Sequence, residues 1–182
     1  MRLRGMASNQ QARHPYQKLL LLTSLPNEAS KVFYTSLQIV DNMKAYDFDF
    51  PEDRYYMKNH VWLKPLNGEI LIGITELGQS LSKGIVHIDL PEMGESIKKG
   101  DLLVAYETIK AVSQISVPFD AKVTSVNQKL WDDPNIINSD PYNEWIVKVK
   151  GEFDDSYVMK VEEAIKYFTE LITKERERYA DN

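Results

Sequence analysis

The chain of 182 residues contains no cysteine. It can therefore form no disulfide, no thiolate nucleophile and no cysteine-ligated zinc or iron–sulfur site, and its composition suits a reducing compartment. Long apolar runs are also missing. The run Leu19–Leu22 falls far short of the roughly 20 apolar residues that a membrane-spanning helix requires. The sequence therefore predicts neither thiol chemistry nor insertion into a membrane.

Basic residues are outnumbered over most of the chain, whose net charge is −5. Residues 1–27 hold four basic residues and no acid, so the remainder is more acidic than the total suggests. Proteins that bind nucleic acids need clustered Lys and Arg to displace counterions from the phosphates. The acidic body shows no such cluster, and we expect no nucleic-acid partner.

Catalytic and metal-binding motifs are missing too. There is no glycine-rich phosphate loop and no Gly-x-Ser-x-Gly sequence. Neither His14, His60 nor His87 has a second histidine nearby at metal-ligand spacing. The acidic group around Asp132 and Asp140 lacks the register of a calcium-binding loop, and we interpret it as a solvated loop. We therefore expect no catalytic residue, no metal site and no enzymatic activity.

Residues 1–53 show no strand-like alternation and form a predicted N-terminal extension. After a basic start, a helix is predicted from about Leu25 to Ala45, with Ser24 as its N-cap, followed by a linker over Asp47–Arg54.

Two explanations of this extension stay open. The acid-free first 27 residues could be an organelle transit sequence, which would place the protein in the mitochondrial matrix. Alternatively, translation begins at Met43. The extension is poor in Ser and Arg for a transit sequence, which favours a prokaryotic, cytoplasmic protein.

Residues 54–151 are predicted to be a β domain, because short strand-like runs recur between turn residues such as Asn67-Gly68. One short helix, "ELGQSLSK", interrupts them. Many short strands at this spacing indicate a sandwich or barrel of antiparallel strands. The runs are "HVWLKP", "EILIGIT", "GIVHIDL", "DLLVAYE", "SQISVP", "AKVTSVN" and "EWIVKVK".

Residues 152–182 carry the pattern of an amphipathic helix over Tyr157–Tyr179. Apolar residues such as Val161, Ile165 and Phe168 follow one another at steps of three and four. The sequence predicts that this helix packs on the β domain.

A single lysine, Lys110, stands in the middle of "AYETIKAVSQISVP" (Ala105–Pro118), which otherwise has the pattern of two strands. The connection Thr108–Ala111 contains none of the Gly, Asn or Asp residues that tight hairpin turns favour. Such a lysine can be an ordinary solvated side chain. A hairpin tip is also where an enzyme could acylate a lysine whose attached group must then visit several active sites. Lys110 is therefore the candidate site.

Four stretches resemble, in order and spacing, the glycine cleavage system H protein family: "YYMKNHVWL", "IGITELGQSLSKGIVHIDLPEMGESIKKGD", "ETIKAVS" and "DPNIINSDPYNEWIVKVK". The resemblance covers about Tyr55–Gly151. It implies a lipoyl-type barrel-sandwich hybrid, with two antiparallel sheets related by a pseudo-two-fold. It also implies lipoate in amide linkage to Lys110, within the motif Glu107–Ala111. The lysine lacks the flanking methionines of biotin carriers, which disfavours biotin.

The same resemblance implies a monomeric, non-catalytic carrier. Its lipoyl arm would shuttle an aminomethyl group between glycine decarboxylase, aminomethyltransferase and dihydrolipoyl dehydrogenase, after attachment by a lipoate ligase or lipoyltransferase. Two positions depart from the family: Val61 and Gln114 stand where acids would meet the amine of the loaded arm. The alternative therefore stays open that the chain is an H-like lipoate-binding carrier in another pathway, such as heterodisulfide-reductase-like sulfur oxidation or lipoyl relay.

Overall fold

The computed structural model describes residues 43–180, apart from the side chains of residues 175, 176 and 178–180. The strands are β1 (Lys44–Ala45), β2 (Phe48–Asp49), β3 (Tyr55–Tyr56), β4 (Val61–Leu66), β5 (Glu69–Ile74), β6 (Ile85–Asp89), β7 (Ser96–Ile97), β8 (Leu102–Thr108), β9 (Val112–Ser116), β10 (Ala121–Val126) and β11 (Val147–Gly151). The helices are α1 (Glu76–Leu81), α2 (Lys129–Asp132), α3 (Ile136–Ser139) and α4 (Val161–Ala180), with a 3-10 turn at Asp155–Tyr157.

The described strands form two main sheets and one separate hairpin. The larger sheet has the order β3-β4-β5-β11-β10-β7, the smaller one has the order β6-β8-β9, and β1 pairs with β2. All of these pairings are antiparallel. The prediction of a mainly β chain with antiparallel sheets is therefore confirmed.

The first hydrophobic core is built from the apolar side chains of both main sheets. Successive side chains of a strand point to opposite faces of the sheet, so one face of each strand packs into this core. Leu130 of α2 and Ile137 of α3 also belong to this core. Its fully buried members include Val61, Leu63, Ile72, Ile85, Ile88, Val104, Ile115, Val147 and Val149.

A second core lies around Trp62, where α4 and the segment before β3 pack together. Ala164 and Phe168 of α4 are fully buried there, beside Phe50 and Tyr56. Helix α4 is the C-terminal amphipathic helix, and its buried residues belong to this second core together with Trp62 of β4. The helix begins at Val161, four residues later than Tyr157, because residues 155–157 form the 3-10 turn.

Residues 43–53 are the part of the predicted N-terminal extension that the structure describes, and there the prediction was wrong. The helix predicted over Leu25–Ala45 lies outside the described residues up to residue 42, and its last residues form strand β1 instead. Asp47–Arg54 is not a linker. It contains β2, and the ring of Phe50 is buried against Phe168 with centroids 5.3 Å apart. The composition of Asp47–Arg54 resembles that of a loop, but burial of Phe50 in the second core holds this segment in a defined conformation.

The acidic stretch predicted as a loop contains α2 and α3, each a single turn. Leu130 and Ile137 hold the two turns against the first core. Asp133 accepts a hydrogen bond from the backbone N–H of Asn135 at 3.0 Å, which fixes the connection between them. The carboxylates of this stretch therefore lie on a structured surface.

Candidate functional site

Lys110 lies at the tip of the hairpin formed by β8 and β9. The register pairs Glu107 with Val112 and Tyr106 with Ser113, which leaves Thr108–Ala111 to make the connection. Below the tip, Val104 and Ile115 pair across the strands and are both buried in the first core. The hairpin that the sequence predicted is thus confirmed, and its base is anchored while its tip projects.

The turn closes without glycine because the Thr108 side chain takes part in it. Neither Ile109 nor Lys110 has a positive φ. The Thr108 hydroxyl accepts hydrogen bonds from the backbone N–H of Lys110 at 3.2 Å and of Ala111 at 3.0 Å, and it donates to the Ala111 carbonyl at 2.9 Å. A Ser or Thr hydroxyl is known to stabilise turns in this way. The sequence-based reasoning missed this role of Thr108.

The Lys110 side chain is exposed, and its ammonium has no ion pair or hydrogen bond with any residue that the structure describes. Its neighbours Ile109 and Val112 are 74% and 66% exposed. An enzyme could therefore reach the amine without breaking an interaction or moving a covering segment. These features fit a lysine that receives a carboxylic acid in amide linkage.

The outer face of the three-stranded sheet carries polar groups close to the tip. The register places His87 beside Glu107 across β6 and β8, and Ala105 lies between Asp89 and Gln114. His87 Nε2 lies 3.0 Å from a carboxylate oxygen of Asp89. Gln114 is exposed on this face, so a charged residue could occupy its position without burial.

Val61 and Gln114 lie in different sheets and differ in burial. Val61 begins β4 in the larger sheet and is only 1% exposed, whereas Gln114 belongs to β9 in the smaller sheet. Neither side chain carries a charge, and the Val61 side chain belongs to the first hydrophobic core.

The three histidines have different environments. His14 lies outside the described residues, and His87 is on the exposed sheet face. His60 is largely buried, its Nδ1 has no hydrogen-bond partner, and burial lowers its pKa to about 4. Across residues 43–180, no group of three or more His, Asp or Glu residues could hold a metal ion. None of the helices that the structure describes is long and apolar enough to cross a membrane.

Comparison with known proteins finds relatives in one family. A family model described as the glycine cleavage H-protein matches residues 54–172. A probable glycine cleavage system H protein of Thermoplasma volcanium is 41% identical over 108 residues, covering 59% of this chain and 88% of the relative. Glycine cleavage system H protein 1 of Caldanaerobacter subterraneus subsp. tengcongensis is 40% identical over 118 residues, covering 64% of this chain and 94% of the relative.

A solved structure gives the same result for the fold. The crystal structure of a glycine cleavage system H protein from Mycobacterium marinum matches with a TM-score of 0.56 at 28% sequence identity. The match covers 65% of this chain and 95% of the crystallised chain. The barrel-sandwich fold expected from the sequence motifs is confirmed by this match.

Proposed function

The chain belongs to the glycine cleavage H-protein family, and we propose that Lys110 is the residue to which its lipoyl group is attached. Members of this family are lipoyl carriers that bear lipoate on a lysine. The observation that carries the assignment is the position of Lys110 at a projecting hairpin tip, with its ammonium unpaired among the described residues. Lipoate in amide linkage would extend the side chain and remove its charge.

We expect the modified chain to act as a mobile carrier between the three enzymes of glycine cleavage. The lipoyl group, when attached, would supply a disulfide, and after reductive opening of the S–S bond one of its sulfur atoms can carry an aminomethyl group. The chain's own contribution is mechanical: Val104 and Ile115 fix the hairpin base, and exposure of the tip leaves the arm free to reach each active site. The described residues offer no nucleophile with an adjacent base, which supports a non-catalytic role.

The partners in this proposal are glycine decarboxylase, aminomethyltransferase, dihydrolipoyl dehydrogenase and a lipoate ligase or lipoyltransferase. Each would meet the Lys110 tip in turn, so one exposed hairpin must fit several clefts. We further propose that the carrier lies in the cytoplasm, since the relatives named above come from bacteria and archaea. We also propose that it is a monomer.

The test of attachment is intact mass after incubation with lipoate, ATP and a lipoate ligase. The wild-type chain is expected to gain one lipoyl group, and Lys110→Arg to gain none. Lys122→Arg, which changes another exposed lysine on strand β10, is the matched control and is expected to be modified normally. A Lys110→Arg chain that still gained the lipoyl mass would overturn the assignment.

A second function is favoured by one specific observation, the lack of charge at positions 61 and 114. A cationic amine on the arm gains most from a nearby carboxylate. The buried Val61 supplies no polar group, and Gln114 supplies only a neutral amide. A carrier for a different cargo, in sulfur oxidation or lipoyl relay, would need no such acid. Loading of the lipoylated chain from glycine by a glycine decarboxylase distinguishes the two, because only the glycine cleavage carrier is expected to be loaded.

A further inference from the structure

We propose that Thr108 is a positioning residue for the modification of Lys110. Its hydroxyl holds the hairpin tip in the conformation in which the lysine is presented to the acylating enzyme. The inference rests on the proposed function, in which Lys110 accepts the lipoyl group. Its structural basis is the set of three hydrogen bonds between the Thr108 hydroxyl and the backbone of Lys110 and Ala111.

The tip needs such support because its residues are poorly suited to a tight hairpin turn. The favoured two-residue loops have positive φ at one or both positions, which matches the twist of the strands. Ile109 and Lys110 have no positive φ, and both are exposed, so packing restrains them little. The backbone bond from Thr108 N–H to the Ala111 carbonyl, at 2.9 Å, closes the loop. The hydroxyl then fixes the two amides that follow the first loop residue.

The amide of Lys110 itself is one of the two groups that the hydroxyl holds. The direction in which the lysine leaves the tip depends on its backbone orientation, so the hydroxyl acts on the arm through this bond. Without these hydrogen bonds, the tip would adopt the conformation that the acylating enzyme binds for only a fraction of the time. The apparent affinity of the acylating enzyme for the chain would fall by the same fraction. Thr108 does not touch the reacting amine, so the effect is expected in KM rather than in kcat.

The test compares Thr108→Val, which keeps the shape of the side chain but lacks the hydroxyl, with Thr108→Ser, which restores it. Lipoylation by a lipoate ligase is followed by intact mass at varied carrier concentration. Thr108→Val is expected to raise KM for the carrier by about tenfold, because it removes all three hydrogen bonds of the hydroxyl, each of them solvent-exposed and therefore weak. Its kcat is expected to stay within about twofold of wild type. Thr108→Ser is expected to stay close to wild type.

Amide hydrogen exchange gives a readout that does not depend on lipoylation. The amides of Lys110 and Ala111 are expected to exchange several-fold faster in Thr108→Val than in Thr108→Ser. An unchanged KM in Thr108→Val, equal exchange rates, or a serine variant that behaves like the valine variant would overturn the proposal. If the wild-type chain gains no lipoyl group, the proposed function fails, and the exchange rates alone then decide whether the hydroxyl holds the tip.

Discussion

The imidazole of His60 stacks on the phenyl ring of Phe168, with centroids 5.0 Å apart and an angle of 25° between the planes. The contact joins the turn before β4 to helix α4. Helix α1 also approaches the histidine closely, since a Cβ added at Gly78 would meet the His60 Cβ at 2.5 Å. Burial disfavours the charged imidazolium, which is why the pKa of His60 falls to about 4.

This contact predicts a loss of stability in mild acid. The unfolded chain binds a proton at His60 with a pKa near 6.5, whereas the folded chain binds it only near 4. The free energy of unfolding contributed by the neutral ring is therefore complete above pH 6.5 and declines as the pH falls toward 4. The expected loss between pH 7 and 4 is about 3 kcal/mol. Urea unfolding measured at several pH values gives this quantity.

Carboxylates also titrate in this range, so the control is a variant without the imidazole. His60→Asn suits the left-handed backbone at this position, where φ is 64°, because Asn tolerates positive φ. The variant is expected to be less stable at pH 7 but to lose less stability on acidification. An identical pH dependence in the two chains would contradict the assignment to His60.

Phe168 is expected to be essential for the docking of α4. Its side chain is fully buried and contacts the rings of Phe50, His60 and Tyr167. Phe168→Ala removes these contacts and leaves a cavity, so the free energy of unfolding is expected to fall by about 3–5 kcal/mol. Urea unfolding is the measurement. Lys166→Ala, at an exposed position of the same helix, is the control and is expected to change stability by less than about 0.5 kcal/mol. Equal losses in the two variants would show that the stack contributes little.

Much of the fold could be predicted because its longer strands alternate clearly between apolar and polar residues. All seven predicted runs correspond to strands of five residues or more, from β4 to β11. The strands that were missed, β1, β2, β3 and β7, have two residues each, too few to show a period. Only β7 pairs with a strand far along the chain, β10, whereas β1 pairs with β2 and β3 pairs with β4 across short connections.

Some features of the candidate site could likewise be predicted from the sequence, and others could not. Lys110 could be found from its motif and from the strands on either side. The role of Thr108 depends on the direction of one hydroxyl, which only the turn geometry reveals. The burial of His60 depends on α4, which follows far later in the sequence. Phe50 was assigned to a linker for the same reason, since its partner Phe168 also belongs to that helix.

We propose that the carrier domain begins at Met43 rather than at residue 54. Ala45 and Phe50 are fully buried members of the second core, and both precede residue 54. A chain truncated to residues 43–182 is therefore expected to fold and to accept lipoate with wild-type kinetics. A chain truncated to residues 54–182 loses Phe50 from the core and is expected to be less stable by about 3 kcal/mol or more. Urea unfolding and intact mass after lipoylation are measured on both. Equal stability of the two truncated chains would contradict this boundary.

Introducing a glutamate is expected to affect stability differently at positions 61 and 114. Gln114 is exposed, so Gln114→Glu is expected to fold with unchanged stability. Val61 is 1% exposed in the first core, where a carboxyl group would be buried without a partner. Val61→Glu is therefore expected to lower the free energy of unfolding by at least about 2 kcal/mol. Urea unfolding of both variants at pH 7 tests this contrast, and a stable Val61→Glu would show that this end of β4 is open to water.

Gln114→Glu also tests the cargo. The amine of an aminomethylated arm is cationic, and a hydrogen bond to a carboxylate is about 1 kcal/mol stronger than one to a neutral amide. The lipoylated Gln114→Glu chain, loaded from glycine, is therefore expected to release its cargo to water about fivefold more slowly than wild type. Gln114→Met, similar in size but without an amide, is the control and is expected to release it no more slowly than wild type. Equal release from all three chains would mean that position 114 does not contact the amine. Failure of the wild-type chain to load at all would instead favour the carrier for another pathway.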